Sequence, residues 1–358
     1  MPETFLSTKH LCQFLMYTSL TANDEIRGYK HEIESIQKAI TDFESGKKLD
    51  IAVISEPFAG RTSLINALGV EVMPAHAVTK RSFSSVVKNK EELMLPKGPG
   101  RIVIIDNCHF FYRCKIGGFD ILEEFLKSVV SSNNLFITTW NLYSWNYLDE
   151  VINIGQFFPI QLKLPKFTPS ALRELILSGY REGELEFLDD VKTEDKRIIH
   201  FFRVPVTVKR LKKTITIPFL KIHVNRLRFR LSRKEEKKKA EDIIFELINR
   251  ASNGNPGVAK VVWEKSLEYP VIKPSYVCVS SFKIALDYTE SFILSIILSM
   301  ESLTKEELVE ITDETKVDKI LYRLSQQGLI TVDQGYYKIR PEALNSLVGY
   351  LKKSRVIW

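Results

Sequence analysis

A short run between two apolar stretches carries the residue types that hold a phosphate group. Residues 55–63, SEPFAGRTS, end the apolar run LDIAVIS and precede LINAL. Compared with the phosphate-binding pattern GxxxxGK followed by Ser or Thr, the run keeps Gly60 and Thr62, but has Ser55 for the first glycine and Arg61 for the lysine. Unpaired N–H groups at a helix start attract an anion, and glycine lets the backbone approach it. The run therefore predicts a phosphate-binding loop with an altered cation.

The chemistry of this loop favours nucleotide binding over rapid hydrolysis. Arg61 keeps the charge of lysine, but its planar, wider guanidinium prefers two-pronged contacts, so the exchange is not conservative. Thr62 has the hydroxyl that coordinates Mg²⁺ in such loops. The alternative is an ordinary strand-to-helix turn with a helix that starts at Thr62 or Ser63. The residues predicted to bind ATP in this loop are Ser55, Ala59, Gly60, Arg61, Thr62 and Ser63.

A second run, RIVIIDN at residues 101–107, predicts the metal end of the same site. Its four apolar residues are typical of a buried parallel strand, whose carboxyl end would carry Asp106 toward a ligand crevice. Asp106 would orient Mg²⁺ together with Thr62. The following residue, Asn107, cannot act as a base, which again disfavours hydrolysis. The alternative for Asp106 is a strand-end acid in a turn.

A third apolar run, NLFITTW at residues 134–140, ends in hydroxyl side chains and is followed by Asn141. A hydroxyl or amide at this strand end can sense the terminal phosphate or hold the attacking water. It can equally end the strand and cap the next helix. We assign catalytic roles to Asp106, Asn107 and Thr139.

The elements that must position these residues alternate along the chain. Between the second and third runs, FDILEEFLKSVV at 119–130 predicts an amphipathic helix. A further strand is predicted before the second run, within residues 84–95. FFPIQLKLP at 157–165 predicts another strand. Strands that alternate with helices favour an α/β fold, a parallel sheet with helices on both faces.

With these motifs in this order, the chain resembles the AAA+ and STAND classes of P-loop ATPases, particularly archaeal ATPases with a helical lid and a C-terminal winged helix. The resemblance also covers EIRGYKHEIESIQKAI at 25–40, where it implies that Arg27 and Gly28 lie near the adenine. NGNPGVAKVVW at 253–263 matches the GxP motif that opens a lid helix, which implies a nucleotide contact from Pro256. The resemblance implies ATP and Mg²⁺ as cofactors.

The chain departs from the family at four positions: Ser55, Arg61, Asn107 and Gly257. Many relatives have a sensor arginine where Gly257 stands, and no arginine finger can be assigned. We therefore expect an ATP-dependent switch or regulator with weak or absent hydrolysis. Two alternatives stay open: a nucleotide-independent DNA-binding regulator on this fold, and a protein bound to a membrane surface.

Positive charge is concentrated in one block of the presumed lid. Residues 203–239 contain fourteen Lys or Arg and two Glu, a local charge of +12 in a chain of net charge +7. Within it Arg226, Arg228 and Arg230 alternate with apolar residues, which suggests a strand with one cationic face. That face would grip nucleic-acid phosphates or an anionic membrane surface. The alternative is a solvated face that protects an edge strand from aggregation.

The C-terminal sequence predicts three helices and a hairpin, the order of a winged helix. TKVDKILYRLSQQ at 315–327 would be the recognition helix, and a turn at 333–335 would make the wing. Lys316, Lys319 and Arg323 are predicted to contact DNA phosphates. The same fold also serves as a protein-interaction module, which remains an alternative.

Length and composition favour several domains in a cytoplasmic protein. At 358 residues, with 44% hydrophobic and 27% charged, the chain can build more than one core. No apolar signal or spanning segment is evident, and the four cysteines have no metal or disulfide spacing. A homo-oligomer or a protein partner is possible. The predicted divisions are an N-terminal helix (1–23), a nucleotide-binding domain (24–166), a lid (167–268) with the basic insertion 200–239, and a winged helix (283–358).

Overall fold

A computed structural model describes residues 27–71, 78–96, 98, 100–189, 199–208, 213–222, 239–277, 282 and 284–357. The predicted N-terminal helix and the arginines Arg226, Arg228 and Arg230 lie outside these residues.

The first half of the chain folds around a five-stranded parallel sheet. Its strands, numbered in chain order with the bounds given at the end of this paragraph, lie side by side in the order β2-β3-β4-β1-β5. Every residue of the three central strands is buried, as their apolar runs require. This is the predicted α/β fold of a P-loop protein. In chain order its elements are α1 (Lys30–Glu44), β1 (Ile51–Ser55), α2 (Arg61–Glu71), β2 (Val78–Ser82), β3 (Ile102–Asp106), α3 (Asp120–Ser131), β4 (Leu135–Asn141), α4 (Leu142–Ile152) and β5 (Ile160–Lys163).

One strand was predicted in the wrong place. The strand expected within 84–95 is β2 at Val78–Ser82, and the predicted segment instead contains a 3-10 turn at Lys90–Leu93. β2 has the polar sequence VTKRS and is at least partly exposed along its length. β2 is an edge strand, with a neighbouring strand on one side only. Because it is less buried than the central strands, its sequence does not need the continuous apolar run that marks them.

Three helices lie in the region predicted to be a lid, and they are called the lid here: α5 (Pro169–Leu177), α6 (Ala240–Ser252) and α7 (Pro256–Ser266). The basic insertion lies between α5 and α6, and it contains an antiparallel hairpin of β7 (Ile199–Val208) and β8 (Lys213–Ile222). A short parallel pair, β6 (Glu186–Phe187) and β9 (Val271–Ile272), joins the two ends of the lid. The lid thus places the start of α7 over the carboxyl end of the sheet.

Residues 284–357, called here the C-terminal unit, have the element order predicted for a winged helix. A three-stranded antiparallel sheet of order β10-β12-β11 packs beside the helices. The capping box predicted at Thr304 and Glu307 is present. The elements are α8 (Tyr288–Met300), β10 (Leu303–Thr304), α9 (Lys305–Thr312), α10 (Val317–Gln326), β11 (Ile330–Asp333), β12 (Tyr336–Ile339) and α11 (Leu344–Lys353).

The predicted recognition helix is α10, and its predicted phosphate contacts differ in surroundings. Lys316 immediately precedes α10, and Lys319 is exposed on its first turn. The guanidinium of Arg323 is bonded to the Glu290 carboxylate at 2.7 Å, within the C-terminal unit. Among the described residues, Lys316 and Lys319 form no ion pair with an acid, whereas Arg323 does.

In the described part of the chain, every helix is too short or too polar to cross a lipid bilayer.

Candidate nucleotide-binding site

The loop between β1 and α2 has the backbone of a phosphate cradle. Phe58 and Gly60 adopt left-handed conformations, with φ of 65° and 87°, and α2 begins at Arg61. Alternating left-handed residues turn successive N–H groups toward one side, and the first N–H groups of a helix have no partner within it. This backbone geometry is of the kind that an anion-binding loop uses, which is the role predicted for residues 55–63.

A cavity of about 320 Å³ lies against this loop, and its lining contains two groups of contacting side chains. Tyr29 and Phe167, whose ring centroids are 5.1 Å apart, are called here the aromatic end, and Arg61, its ion-pair partner Glu301 and the neighbouring Thr62 are called the polar end. This volume and this division suit a nucleotide, whose base is apolar on its faces and whose phosphates are charged.

The segment predicted to lie near the adenine reaches the cavity through Tyr29, which directly follows Arg27 and Gly28. The hydroxyl of Tyr29 donates a hydrogen bond to the carbonyl of Ala59 in the loop. Gly28 packs so closely on the Phe167 ring that a Cβ atom would overlap it. Arg27 and Gly28 belong to the 3-10 turn that carries Tyr29. Gly28 is therefore required by packing, and Tyr29 ties this segment to the loop.

The lid closes directly on the loop through the GxP segment. The Asn255 amide donates to the Pro57 carbonyl at 2.7 Å, and the N–H of Gly257 donates to the Phe58 carbonyl at 3.0 Å. A Cβ atom at position 257 would stand 2.5 Å from that carbonyl oxygen. Pro256, Gly257 and Lys260 line the cavity from the lid side. Gly257 is thus the residue that permits this close approach.

Asp106 is fully buried at the end of β3 and accepts hydrogen bonds from three hydroxyl groups. The donors are Thr62 at 2.8 Å, Thr139 at 2.5 Å and Ser82 at 3.3 Å. Mg²⁺ is commonly held by one or two protein oxygens, with phosphates and waters completing its octahedron. The adjacent oxygens of Thr62 and Asp106 fit that role, as the sequence predicts.

Asn107 and Thr139 are engaged with other protein groups. The backbone of Asn107 is left-handed, with φ of 63°, and its side-chain amide donates to the Phe83 carbonyl at 3.0 Å. The hydroxyl of Thr139 gives its single proton to Asp106 and accepts the N–H of Asn107 at 2.8 Å. This arrangement makes Thr139 a positioning residue for Asp106.

The side chain of Arg61 runs beneath the loop toward the sheet. Its guanidinium donates to the Ser55 carbonyl at 2.8 Å and the Trp140 carbonyl at 3.2 Å, and it forms an ion pair with Glu301. Arg61 is only 6% exposed. The protein acceptors therefore take the place of the hydrogen bonds to water that the guanidinium loses when it is buried. The guanidinium is thus bonded to protein acceptors, and the predicted phosphate contact of Arg61 stays a prediction.

Glu301 comes from the end of α8 in the C-terminal unit. Burial raises the pKa of its carboxyl, but Arg61 and His109, with hydrogen bonds from Arg61 and Asn141, more than offset this and leave the pKa below its usual value. The carboxylate is therefore charged at neutral pH, and it brings an anion to the polar end of the cavity.

Asn141 caps the helix that follows β4, the second of the two roles considered for it. Its side-chain oxygen accepts the N–H of Tyr143 at 2.8 Å, while its amide donates to Leu298 O at 2.9 Å and to Glu301 at 2.8 Å. The hydroxyl of Ser144 adds a bond to Ser299 O at 2.7 Å. The strand end thus anchors α8.

His109 is a buried group beside this network. Its ring is fully buried, packs at a tilt of 37° against Phe110 with 4.5 Å between centroids, and has no hydrogen-bond partner at either nitrogen among the described residues. Burial lowers its pKa to about 4; the charges of Glu301 and Asp106 act in the opposite direction, while that of Arg61 adds to the effect. His109 is therefore neutral at pH 7.

Several residues of the site escaped sequence reasoning. Tyr29 directly follows the Arg-Gly pair, and Asn255 has the type and position of a helix cap before proline, so both had a local signal. Phe167 and Glu301 had none, because they reach the loop only through the tertiary fold.

No protein-family model matches the chain, and no curated protein matches it. Among solved structures, the chain is similar in fold to the Holliday junction branch migration motor RuvB of Thermotoga maritima, with 14% identity over 89% of this chain and 94% of that chain, and a TM-score of 0.39. It is also similar to the ORC2 protein of Aeropyrum pernix in its ADPNP and ADP complexes, with 12% identity, coverage of 91% and 94%, and a TM-score of 0.41. The ORC1 protein of the same organism in complex with DNA gives 13% identity, the same coverages and a TM-score of 0.37.

Proposed function

We propose that this protein binds ATP with Mg²⁺ and acts as a nucleotide-dependent switch of the AAA+ or STAND type. The observation that carries the proposal is the Thr62–Asp106 oxygen pair, 2.8 Å apart, beside a cavity that the loop and the lid enclose together. A nucleotide there would contact Gly60, Thr62 and Ser63 on the loop and Pro256 on the lid. It would therefore favour the closed position of the lid by binding both parts.

Hydrolysis is expected to be slow or absent. No carboxylate follows Asp106, and the Asn107 amide is bonded to the Phe83 carbonyl. The guanidinium of Arg61 is bonded to the carbonyls of Ser55 and Trp140 and to the carboxylate of Glu301. Since phosphoryl transfer depends on positioned charge and a positioned water, these three features disfavour turnover. The function would therefore depend on which nucleotide occupies the site more than on the rate of ATP hydrolysis.

The first prediction concerns the metal. Replacing Asp106 by Ala should weaken binding of ATP at least tenfold in Mg²⁺ and much less in EDTA, because only binding in Mg²⁺ uses the carboxylate as a metal ligand, whereas the loss of the hydrogen bonds from Thr62, Thr139 and Ser82 acts in both conditions. Isothermal titration calorimetry of the full chain measures both values. Asp333→Ala, a change of the same type in the exposed wing, is the control. If the wild-type chain does not bind ATP, or if Asp106→Ala binds it equally well in Mg²⁺, the proposal is wrong.

The output surface of the switch is proposed to be the basic hairpin insertion and the C-terminal unit, with DNA as the expected partner. The charge block at 203–239 and the lysines beside α10 support this choice. A protein partner or a homo-oligomer would use the same surfaces. We propose the domain divisions given above, and a cytoplasmic location, on the same sequence grounds.

The second prediction tests the DNA contact. The double variant Lys316→Ala, Lys319→Ala should weaken binding to duplex DNA and lower the slope of log affinity against log salt concentration by about 2, roughly one for each phosphate that is no longer neutralised. Fluorescence anisotropy at several salt concentrations measures this slope. Lys352→Ala, Lys353→Ala at the end of α11 is the matched control. An unchanged slope would remove α10 from the DNA surface.

A second candidate function is a DNA-binding regulator that does not respond to nucleotide. The ion pair of Arg61 with Glu301 favours it, because a neutralised cation attracts phosphate weakly. This candidate predicts DNA affinity that falls steeply with salt and is the same with and without ATP. Binding to anionic vesicles but not to DNA would instead indicate a protein of the membrane surface.

A further inference from the structure

The C-terminal unit places a carboxylate where the cavity is most suited to phosphate. Glu301 lines the polar end of the cavity together with Arg61, Thr62 and Asn107. Tyr29 and Phe167, which would contact the base of a bound nucleotide, line the same cavity. A nucleotide whose base contacts these rings and whose phosphates bind the loop at Thr62 would bring its terminal phosphate, the group farthest from its base, toward Glu301.

The position of Glu301 is held by specific bonds. Its carboxylate accepts from the guanidinium of Arg61 and from the Asn141 amide, both of which are buried. Its own backbone is left-handed, with φ of 61°. Because a glutamate adopts that conformation only when its surroundings impose it, the chain turns at the end of α8 in a way that delivers this side chain into the site.

We propose that Glu301 is an intramolecular anion that competes with the terminal phosphate of a nucleoside triphosphate for Arg61, and that it thereby distinguishes a triphosphate from a diphosphate. This inference rests on the proposed nucleotide site. A diphosphate fills the aromatic end and the loop and leaves the Glu301 carboxylate in place. A triphosphate puts a second anion beside the same guanidinium, and repulsion between the two anions must displace one of them.

Displacement of Glu301 would loosen the C-terminal unit. Asn141 bonds to both Leu298 and Glu301, and Ser144 bonds to the next carbonyl, so the end of α8 is anchored at adjacent points. A second contact, from Arg113 and Lys115 to Glu310 on α9, lies outside the cavity. Glu301 therefore places its charge in the cavity, whereas Glu310 places its charge only where α9 contacts Arg113 and Lys115. Changing one residue at a time separates the effects of the two charges.

Glu301→Gln tests the proposal, because it removes the charge and keeps the size and the hydrogen-bonding oxygen. We expect its affinity for ATP with Mg²⁺ to rise at least tenfold and its affinity for ADP to change less than threefold. Glu310→Gln is the matched control, since it weakens the same interface without changing the cavity. It should alter ATP and ADP affinity by equal factors.

The outcomes separate this inference from the proposed function. If wild type binds nucleotide and Glu301→Gln shifts ATP and ADP equally, or weakens ATP, Glu301 is only a structural contact and the inference is wrong. If wild type and both variants bind neither nucleotide, the proposed nucleotide function is wrong as well.

A measurement on the unmodified chain guards against a folding defect in the variant. Hydrogen–deuterium exchange of the backbone at residues 298–303 should speed up when ATP with Mg²⁺ is added and stay unchanged with ADP. Equal exchange with both nucleotides at saturation would overturn the proposed competition.

Discussion

Replacing Gly257 by Ala is expected to destabilise the closed lid by about 1–3 kcal/mol, the usual cost of forcing an extra group into a packed position. A Cβ atom there would meet the Phe58 carbonyl oxygen at 2.5 Å and the Phe58 Cβ atom at 2.8 Å. Phe58 is itself left-handed and belongs to the phosphate loop, so the loop has little freedom to move. Binding of ATP should weaken roughly tenfold or more, because about 1.4 kcal/mol corresponds to a factor of ten.

The matched control for this change is Gly349→Ala. Gly349 lies in α11 with no atom within 4 Å of its would-be Cβ, so alanine there should stabilise the helix by about 0.5–1 kcal/mol. Gly257 is the second residue of α7, so helix propensity alone predicts no loss there, and at most a smaller gain than at Gly349. Urea unfolding and ATP titration of the two variants therefore isolate the steric term. Equal effects of the two substitutions would show that the lid does not press on the loop.

The parts of the fold with a local signal were predictable. Central strands such as β1 and β3 are buried on both faces and so have continuous apolar runs. The phosphate loop, Asp106 and the Pro256 helix start are defined by residues close together in sequence. Their mutual placement follows because the carboxyl ends of parallel strands share one edge of the sheet. Thr62 and Asp106 accordingly lie in contact.

Other features depend on contacts between distant parts of the chain. Nothing near Arg61 in sequence indicates that its guanidinium pairs with Glu301, which is 240 residues away. β2 was misplaced because an edge strand does not need an apolar sequence. In both cases the deciding interaction is tertiary and leaves no periodic pattern.

Three positions at which the chain departs from the ATPase motifs that it resembles make contacts within the protein. Gly257 allows the lid backbone to contact Phe58, the Asn107 amide bonds to the Phe83 carbonyl, and Arg61 bonds to Glu301. Each of these positions joins two parts of the chain. This supports a site that controls how the parts are arranged, in agreement with the proposed switch.

The buried His109 should make the stability of the protein depend on pH in mildly acidic solution. Its pKa is about 4 in the folded chain, against 6.5 for an ordinary histidine. Below pH 6.5 the unfolded chain takes up a proton that the folded chain does not. The stability contributed by neutral His109 is therefore fully present above pH 6.5 and is lost as the pH falls toward 4. The loss should total about 3 kcal/mol, at about 1.4 kcal/mol for each unit of pKa difference.

His109→Phe should remove this component, because phenylalanine keeps a ring against Phe110 and does not titrate. Urea unfolding followed by tryptophan fluorescence between pH 7 and 4.5 should show a shallower fall in unfolding free energy for the variant than for wild type. His31→Phe, on the exposed side of α1, should leave the wild-type slope unchanged. Identical slopes for His109→Phe and wild type would mean that His109 gains a proton without unfolding. Glu301 and Asp106, whose negative charges raise the pKa of His109, would then be the groups that stabilise its charged ring.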